Sequence, residues 1–324
     1  MKKKAVVYGI GRMYGQLKYA IEDKYEVVGY VDKYLTRDDG TLWKPEELLD
    51  KEFDCVLITP CGKVGIMQEL IRLGIPQDKL IPYYGENKYI KIEDDKIRLE
   101  DDKIIVTDEK YRLELKTYSD DAVFHEVFIQ RGYDIHLTDD YAVLDIGMNV
   151  GFVSVFYAMN ESVKAVYGFE PFPQTYYQAV NNVKNCGGGA EKVHTFNIGL
   201  GNRNTEVAVN YDANKSECMS LVRNNAGESR EKVQLKDAAE VLASIIKKEQ
   251  EEGRKILCKM DCEGSEYDVF DSMDKQGLID QVDVYLIEWH YRDDDSLVDC
   301  LTKYGYTVMK SYDYGAFGKI IAWK

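Results

Sequence analysis

The strongest chemical signal in the sequence is a glycine-rich turn that directly follows a short apolar segment. Asp145 lies near the end of that segment, and Gly147, Asn149 and Gly151 alternate through the turn. Glycine lets the backbone pass close to a ligand because it carries no Cβ, and a helix that starts after such a turn offers free amide groups. The spacing predicts a strand, a turn and a helix around a small ligand, with Asp145 able to accept from an ammonium group.

An acidic residue follows at a distance that suits a ribose. Glu170 comes directly after the next apolar segment, Val166–Phe169, and lies 19 residues beyond Gly151. An acid about 20 residues past a glycine turn is well placed to accept from two ribose hydroxyls. The turn has no Lys or Arg nearby and carries an acid where a phosphate would be unwelcome, so it does not suit a pyrophosphate. S-adenosylmethionine, which has a sulfonium, an ammonium and an adenosine, fits better.

Three further residues are candidates for acid–base chemistry at the ends of two later apolar segments. Asp261 follows Ile256–Met260, and Glu288 and His290 alternate where Val282–Trp289 ends. Alternate residues of a strand share one face, and ligands of open α/β sheets bind at the carboxyl edge. Histidine accepts a proton near neutral pH without special tuning. We therefore expect His290 to be the general base, with Asp261 or Glu288 orienting the site.

The same acidic residues raise the question of a metal ion. Oxygen ligands from Asp261, Glu263 and Glu288, together with the imidazole of His290, would suit magnesium or manganese. The sequence alone leads us to assign no metal ligand.

Length and composition restrict the class of protein. The chain has 324 residues, 45% hydrophobic and 31% charged, which suits two folded domains and excludes a disordered or collagen-like protein. A formal net charge of −15 argues against nucleic acid or an anionic membrane as a partner. No segment approaches the roughly 18 apolar residues of a membrane span. Seven cysteines without a signal peptide predict reduced thiols and a cytoplasmic protein.

Strand-like and helix-like patterns alternate in two parts of the chain, which predicts α/β domains with largely parallel sheets. We expect a smaller α/β domain over 1–85, a linker with hairpin-like strands over 86–116, and a larger α/β domain over 117–324. The strands expected in the first domain are Ala5–Tyr8, Glu26–Val31, Cys55–Thr59 and Leu80–Pro82. Those expected in the last are Ala142–Ile146, Ala165–Phe169, Lys192–Asn197, Ile256–Met260, Val282–Trp289, Tyr306–Lys310 and Lys319–Trp323, with Val207–Asn210 as an inserted strand.

Four runs in order resemble the signature of FkbM-type S-adenosylmethionine-dependent methyltransferases. They are DIGMNVGF (145–152), FEPFP (169–173), KMDCEGSE (259–266) and LIEWH (286–290). The stretch TYSDDAVFHEVFIQRGY (117–133) is similar to the segment that precedes the cofactor domain in that family. The resemblance implies the class I methyltransferase fold, a Rossmann-like sheet of seven strands with an antiparallel edge strand. It also implies O-methylation of a hydroxyl, on a sugar, a glycan or a polysaccharide precursor.

The resemblance implies roles for individual residues as well. Those implied around the methionine part of S-adenosylmethionine are Asp145, Gly147, Asn149 and Gly151. Glu170 is implied on the ribose, Asn197 and Gly199 on the adenine side, and Asp261 at the methyl-transfer centre. Met148, where small residues are common, and Cys262, where valine is frequent, depart from the family pattern.

The first 85 residues resemble the Rossmann-like domains that precede glycan-modifying enzymes, some of which bind nucleotides or nucleotide-sugars. The runs that carry this resemblance are VVYGIGRMYG (6–15), GYVD (29–32) and CVLIT (55–59). Two alternatives to a methyltransferase therefore stay open. One is a nicotinamide-dependent oxidoreductase or epimerase in which Asp32 reads an adenosine ribose. The other is a non-catalytic sensor of a nucleotide-sugar. The first 85 residues are short for a full dinucleotide fold, which argues against the oxidoreductase.

Overall fold

The structure is a computed structural model that describes residues 2–35, 40–85, 96–223, 227, 229–313 and 316–324, with the backbone alone at 311–313. The chain divides into two compact units, Met1–Gly132 and Tyr133–Lys324. Residues 86–95 of the predicted linker lie outside the described part of the chain. The three domain ranges expected from the sequence stay a prediction.

The first unit contains a parallel sheet of five strands. Its strands are β1 Lys3–Tyr8, β2 Tyr25–Val31, β3 Leu42–Trp43, β4 Cys55–Ile58 and β5 Leu80–Pro82, and its helices are α1 Arg12–Lys24 and α2 Lys63–Arg72. The strand order is β3-β2-β1-β4-β5, and every pair is parallel. The predicted smaller α/β domain is confirmed. The added strand β3 has only two residues, which is too short to show a pattern in the sequence.

The first unit also contains a small antiparallel sheet and a helix. The strands are β6 Ile97–Glu100, β7 Lys103–Thr107 and β8 Arg112–Leu115, followed by α3 Tyr118–Phe124, which continues as a π-helical turn over His125–Gln130. The strands pair antiparallel in the order β6-β7-β8. Thr117 is the N-cap of α3, and its hydroxyl accepts from the amide of Asp120 at 3.1 Å.

The second unit is built on ten strands and five helices within its described residues. The strands are β9 Tyr141–Ile146, β10 Val163–Phe169, β11 Val193–Phe196, β12 Gly199–Gly201, β13 Thr205–Tyr211, β14 Ser229–Asp237, β15 Lys255–Met260, β16 Val284–His290, β17 Thr307–Asp313 and β18 Phe317–Trp323. The helices are α4 Phe152–Ala158, α5 Pro173–Lys184, α6 Ala238–Glu251, α7 Glu266–Lys275 and α8 Asp295–Lys303.

Seven of these strands form one mixed sheet in the order β11-β10-β9-β15-β16-β18-β17. The predicted sheet of seven strands is therefore confirmed. The one reversed strand, β18, pairs antiparallel with both β16 and β17, so it lies one position in from the edge. All six residues of β9 are buried, as expected for a central strand whose two faces are covered by helices.

A second, three-stranded sheet is inserted between β11 and α6, with the order β12-β14-β13. The sequence predicted only Val207–Asn210 from this sheet, which lies inside β13. Side chains of β13 alternate between partly buried and exposed, a pattern of period two that sequence can show. Strand β14 has the sequence SREKVQLKD, in which charged residues hide the alternation.

Candidate active site

The predicted site residues meet at the carboxyl ends of four neighbouring strands, β10, β9, β15 and β16. Asp145 on β9 is in register with Lys259 on β15 and with Gly168 on β10. Glu170, Asp261 and His290 lie at or just beyond the ends of the other three strands. The carboxyl edge is where open α/β sheets bind their ligands.

The glycines of the turn are required by close packing as well as by backbone conformation. Gly147 has φ +80°, and a Cβ there would lie 1.8 Å from the carbonyl oxygen of Asp261. Gly151 has φ +82°, and a Cβ there would lie 3.2 Å from Ala179. Asn149 between them also has a positive φ, 49°, a conformation that Asn adopts more readily than most residues. The turn is thus held tightly against the loop after β15.

Glu170 connects the turn to the end of β10. Its Oε2 accepts from the amide of Asn149 at 3.0 Å, and its Oε1 accepts from the amide of Phe172 at 3.0 Å. Each carboxylate oxygen can accept two hydrogen bonds, so the predicted contact with two ribose hydroxyls is compatible with these bonds. The side chain is only 5% exposed, and this burial raises the pKa of Glu170 to about 7.

Asp145 and Lys259 form a buried ion pair behind the turn. Asp145 is fully buried, accepts from Ser154 Oγ at 2.6 Å and lies 3.3 Å from the ammonium of Lys259. Lys259 also donates to the carbonyl of Gly147 at 2.6 Å. Burial raises the pKa of Asp145. The ammonium that we expected from a ligand is supplied here by Lys259, and the contact of Asp145 with the cofactor stays a prediction.

Lys259 was not predicted as a site residue. The sequence does contain a signal for it, because Lys259 is a charge within the otherwise apolar second half of KILCKM. Burial lowers the pKa of Lys259, but Asp145 and Asp261 outweigh burial and raise it above its usual value. The ammonium therefore stays charged inside the protein and fixes the turn.

Asn197 and Gly199 lie beside Glu170. The Asn197 amide donates to the carbonyls of Glu170 at 2.9 Å and Pro171 at 3.1 Å. Gly199 opens β12, and a Cβ there would lie 2.8 Å from Leu235. Both residues shape the loop after β10, and their contact with an adenine stays a prediction.

Acidic side chains surround His290 at the end of β16. Its Nδ1 lies 3.1 Å from Glu266 Oε1, and its Nε2 lies 3.5 Å from Glu263 and 4.0 Å from Glu288. Glu266 is fully buried and accepts from the amides of Cys262 at 2.9 Å and Gly264 at 2.8 Å. A carboxylate held in this way accepts from Nδ1–H and leaves Nε2 facing the other acids.

This environment determines the charge of His290. Burial lowers the pKa of His290, but the hydrogen bond to Glu266 and the charges of Asp261 and Glu263 outweigh burial and raise it to about 9. At neutral pH the ring is therefore mostly an imidazolium, which holds a proton rather than takes one. The predicted role of His290 as a base stays a prediction, and it requires the minor neutral form.

The other two predicted catalytic residues also have partners. Asp261 accepts from the hydroxyl of Tyr133 at 3.0 Å, and the nearby charges of Lys259, His290 and Lys319 outweigh burial and lower the pKa of Asp261. Glu288 lies 3.2 Å from the ammonium of Lys319 on β18. Cations thus lie beside both acids, and the catalytic roles of Asp261 and Glu288 stay a prediction.

Asp261, Glu263 and His290 each present one ligand atom within 4.8 Å of the others. Two carboxylates and an imidazole are ligands that magnesium or manganese accepts. Among the residues that the structure describes, these three could hold a divalent ion. The absence of a metal expected from the sequence stays a prediction.

The glycine turn of the first unit differs from that of the second. A Cβ on Gly9 would lie 2.2 Å from Pro60, so this turn packs against the loop after β4. Asp32 accepts from the amides of Ile10 at 3.3 Å, Tyr34 at 2.9 Å and Leu35 at 3.0 Å. The carboxylate that the oxidoreductase alternative assigns to a ribose therefore holds its own loop and the glycine turn after β1.

The order of the seven strands, the glycine turn after β9 and the acid after β10 define a class I methyltransferase. The sequence model of a protein family described as the methyltransferase FkbM domain matches residues 145–308, about half of the chain. The chain belongs to the FkbM methyltransferase family, as predicted from its four sequence motifs, and its cofactor is S-adenosylmethionine. A second model, described as C2185-like, N-terminal, matches residues 1–81. Among the described residues, no helix is long and apolar enough to cross a membrane.

Several solved structures are similar to this chain, and no curated protein matches it. One is the methyltransferase FkbM from Methylobacillus flagellatus KT, 13% identical over 99% of this chain and 90% of that chain, with a TM-score of 0.41. Another is TYW2 from M. jannaschii in complex with AdoMet, 13% identical over 75% of this chain and 90% of that chain, with a TM-score of 0.35. A third is TrmK from M. capricolum in complex with S-adenosyl-homocysteine, 11% identical over 61% of this chain and 67% of that chain, with a TM-score of 0.35.

Proposed function

We propose that this methyltransferase acts on a hydroxyl oxygen of a sugar, a glycan or a polysaccharide precursor. The observation that carries the proposal is the group of acids on the acceptor side of the glycine turn. Glu263 and Glu288 lie within 4.0 Å of His290, and Glu266 lies 3.1 Å from it. Glu263 and Glu288, which are partly exposed, would repel a phosphate, whereas a neutral polyol can donate hydrogen bonds to them.

The cofactor side would be formed by the residues that the sequence indicated. We propose that Glu170 binds the ribose, that the turn from Gly147 to Gly151 surrounds the methionine part, and that Asn197 and Gly199 line the adenine side. Glu170 suits such a ligand, because its carboxylate can accept further hydrogen bonds beyond the two from backbone amides. S-adenosylmethionine, when bound, supplies a methyl group on a sulfonium.

The protein would catalyse the transfer mainly by alignment and by removal of the hydroxyl proton. We propose that His290, Asp261 and Glu288 line the acceptor side and receive the hydroxyl group. Asp261 and Glu288 would accept a hydrogen bond from the O–H and orient it, and the ammonium of Lys319 lies 3.2 Å from Glu288. Charges that are already held in place require little rearrangement during the reaction.

Transfer of a labelled methyl group tests the proposal. The full chain is incubated with S-adenosylmethionine labelled in the methyl group and with neutral methyl glycosides, and with tRNA in a parallel reaction. We expect label in the glycoside fraction, with the labelled methyl group bound as an ether and not as an ester. Label in the tRNA, with none in any glycoside, would show that the acceptor class is wrong although the enzyme class is right.

A further inference from the structure

Three side chains at the carboxyl ends of β15 and β16 each present one ligand atom to a common centre. They are Asp261, Glu263 and His290, and the three atoms lie within 4.8 Å of one another. A second oxygen of each carboxylate is already held by the protein. Asp261 Oδ2 accepts from the hydroxyl of Tyr133 at 3.0 Å. Glu263 Oε2 accepts from the hydroxyl of Tyr291. Each carboxylate is thus fixed through one oxygen and keeps the other for a ligand.

The ring of His290 is oriented by a carboxylate outside this centre. Its Nδ1 lies 3.1 Å from Glu266 Oε1, and the fully buried Glu266 is fixed by the amides of Cys262 and Gly264. The His290 side chain is 8% exposed, and within the described part of the chain its Nε2 makes no hydrogen bond and faces Glu263 Oε1 at 3.5 Å. A metal-binding histidine almost always donates its other ring N–H to a carboxylate, a carbonyl or water. Glu266 is placed to accept that N–H.

The separations suit an ion with octahedral coordination. Ligands about 2.1 Å from a magnesium ion put neighbouring ligand atoms about 3.0 Å apart and opposite ones about 4.2 Å apart. The 3.5 Å between Glu263 Oε1 and His290 Nε2 and the limit of 4.8 Å for the set therefore require a contraction of roughly half an ångström on binding. Three protein ligands leave the other positions of an octahedron open to water or to an acceptor.

The charges around the centre favour a cation. The two lysines nearest to it have other carboxylates as closer partners. Lys259 lies 3.3 Å from Asp145 and 3.8 Å from Asp261, and Lys319 lies 3.2 Å from Glu288. Buried charges are normally paired or coordinate a metal. The carboxylates of the centre can therefore balance the charge of a divalent ion.

Asp261 connects the centre to the glycine turn. Its amide donates to the carbonyl of Ile146 at 3.0 Å, and a Cβ on Gly147 would lie 1.8 Å from its carbonyl oxygen. The lysine beside it, Lys259, donates to the carbonyl of Gly147 at 2.6 Å. One ligand of the centre is therefore attached to the turn that the proposed function assigns to the methionine part of the cofactor.

We propose that Asp261, Glu263 and His290 bind a divalent ion, magnesium or manganese, that holds the oxygen of the acceptor hydroxyl. The role of the ion rests on the proposed function, and its presence departs from the expectation from the sequence that no metal is bound. A metal ion orients an oxygen that it coordinates. The ion takes the place of the proton on Nε2, because a coordinating imidazole is neutral. His290 then serves as a ligand and not as the base.

Titration with manganese alone tests the site without cofactor or acceptor. The untagged full chain is stripped with EDTA, freed of the chelator and titrated with Mn²⁺, and the free ion is measured by its electron paramagnetic resonance signal. We expect saturable binding of one Mn²⁺ per chain. Pulsed electron paramagnetic resonance of the bound ion should show coupling to a nitrogen nucleus, because the imidazole of His290 is a ligand.

Three variants assign the signal to this site. His290→Gln should abolish the nitrogen coupling and weaken Mn²⁺ binding at least about tenfold, since loss of a group that only orients a ligand already costs about 10- to 100-fold. Glu263→Gln should weaken binding by a similar factor and keep the coupling, so it provides a second test if His290→Gln does not fold. His136→Gln is the matched control, because it removes an exposed imidazole, and it should change neither readout.

The wild type alone can overturn the site. Absence of saturable binding at millimolar Mn²⁺, or a bound ion without nitrogen coupling, would show that the three residues hold no ion. Coupling that persists in His290→Gln would place the ion elsewhere.

Methyl transfer to the methyl glycosides tests the role of the ion. After EDTA we expect transfer to be at least about tenfold slower and to recover with Mn²⁺. Equal rates with and without the ion would show that it does not hold the acceptor. If no glycoside is methylated in either condition while Mn²⁺ binds with the nitrogen signal, the proposed function fails and the metal site is retained.

Discussion

Substitution of Glu170 by Gln gives the sharpest test of the cofactor site. The carboxylate accepts from two backbone amides, at Asn149 and Phe172. A Gln side chain has one oxygen and one NH₂ group, so one of these amides would face a donor instead of an acceptor. We therefore expect two effects, a weaker site for the ribose and a less stable glycine turn.

The magnitude follows from the kind of hydrogen bond that is lost. A hydrogen bond to a charged group contributes roughly 1.5–3 kcal/mol, so loss of one ribose bond should weaken binding about 10- to 100-fold. The unsatisfied amide should lower the free energy of unfolding by about 1–3 kcal/mol. The first effect is read as a dissociation constant and the second as a urea midpoint, so the two are separable.

The pH dependence gives a second, independent signature. Burial raises the pKa of Glu170 to about 7, so the carboxylate is protonated below this pH and ionised above it. Protonation removes acceptor capacity from the ribose, and binding should therefore weaken as pH falls through about 7. One proton should be displaced for each ligand bound at the acidic end of the range.

Calorimetric titration with S-adenosylhomocysteine between about pH 6 and 8.5 measures both effects. This ligand is chosen because it carries the adenosine ribose and has no methyl group to transfer. We expect the wild type to show the loss of affinity at low pH and Glu170→Gln to show weak binding that no longer depends on pH. Equal affinity of the two proteins across the range would refute the contact between Glu170 and the ribose.

Three further predictions concern other charged groups. His290→Ala should lower methyl transfer to the accepted glycoside by about 10²–10⁴-fold and leave the calorimetric affinity for S-adenosylhomocysteine within about twofold. Lys259→Met should lower the free energy of unfolding by about 3–5 kcal/mol, because it leaves Asp145 buried without a cation; urea unfolding should show recovery in the Lys259→Met/Asp145→Asn double variant. In the first unit, Asp121→Ala should lower the free energy of unfolding by a similar amount, and peptide-level hydrogen exchange should show faster exchange in α2. The reason is that Asp121 lies 3.4 Å from Lys63 with both side chains at most 2% exposed, and Asp121 also accepts from the amide of Gly62 at 2.9 Å.

The central strands β9, β10 and β15 of the second unit could be predicted because each is a largely apolar run followed by a glycine or an acidic residue. The predicted Ala142–Ile146 and Ile256–Met260 differ by one residue each from β9 and β15. A buried parallel strand needs apolar residues on both faces, which produces this simple pattern. Strand β14 lacks it, because its charged side chains lie on a sheet that is only partly buried.

Lys63 and Asp121 show a different limit. They are 58 residues apart in the chain, and neither residue type nor spacing indicates that they pair. The pair lies within the first unit, although the sequence placed Asp121 in the range 117–324 with the methyltransferase domain. A chain that began at residue 86 would keep Asp121 and lose Lys63, which would leave a buried carboxylate without its cation. A chain that begins at Tyr133 avoids this defect.

The acceptor side of the site shows why residue type alone does not assign a role in catalysis. The sequence favoured His290 as the base because a free imidazole has a pKa of about 6.5, and it considered Glu263 only as a possible oxygen ligand of a metal ion. In the structure the hydrogen bond to Glu266 and the nearby acids raise the pKa of His290 to about 9 in spite of its burial, and burial raises that of Glu263 to about 7. Near neutral pH the imidazole is then mostly protonated, so its residue type alone does not make it a base. The acidic residues that raise the pKa of His290 lie on the loop after β15 and on α7. These elements are separated from β16 in sequence, so only the folded chain brings them beside His290.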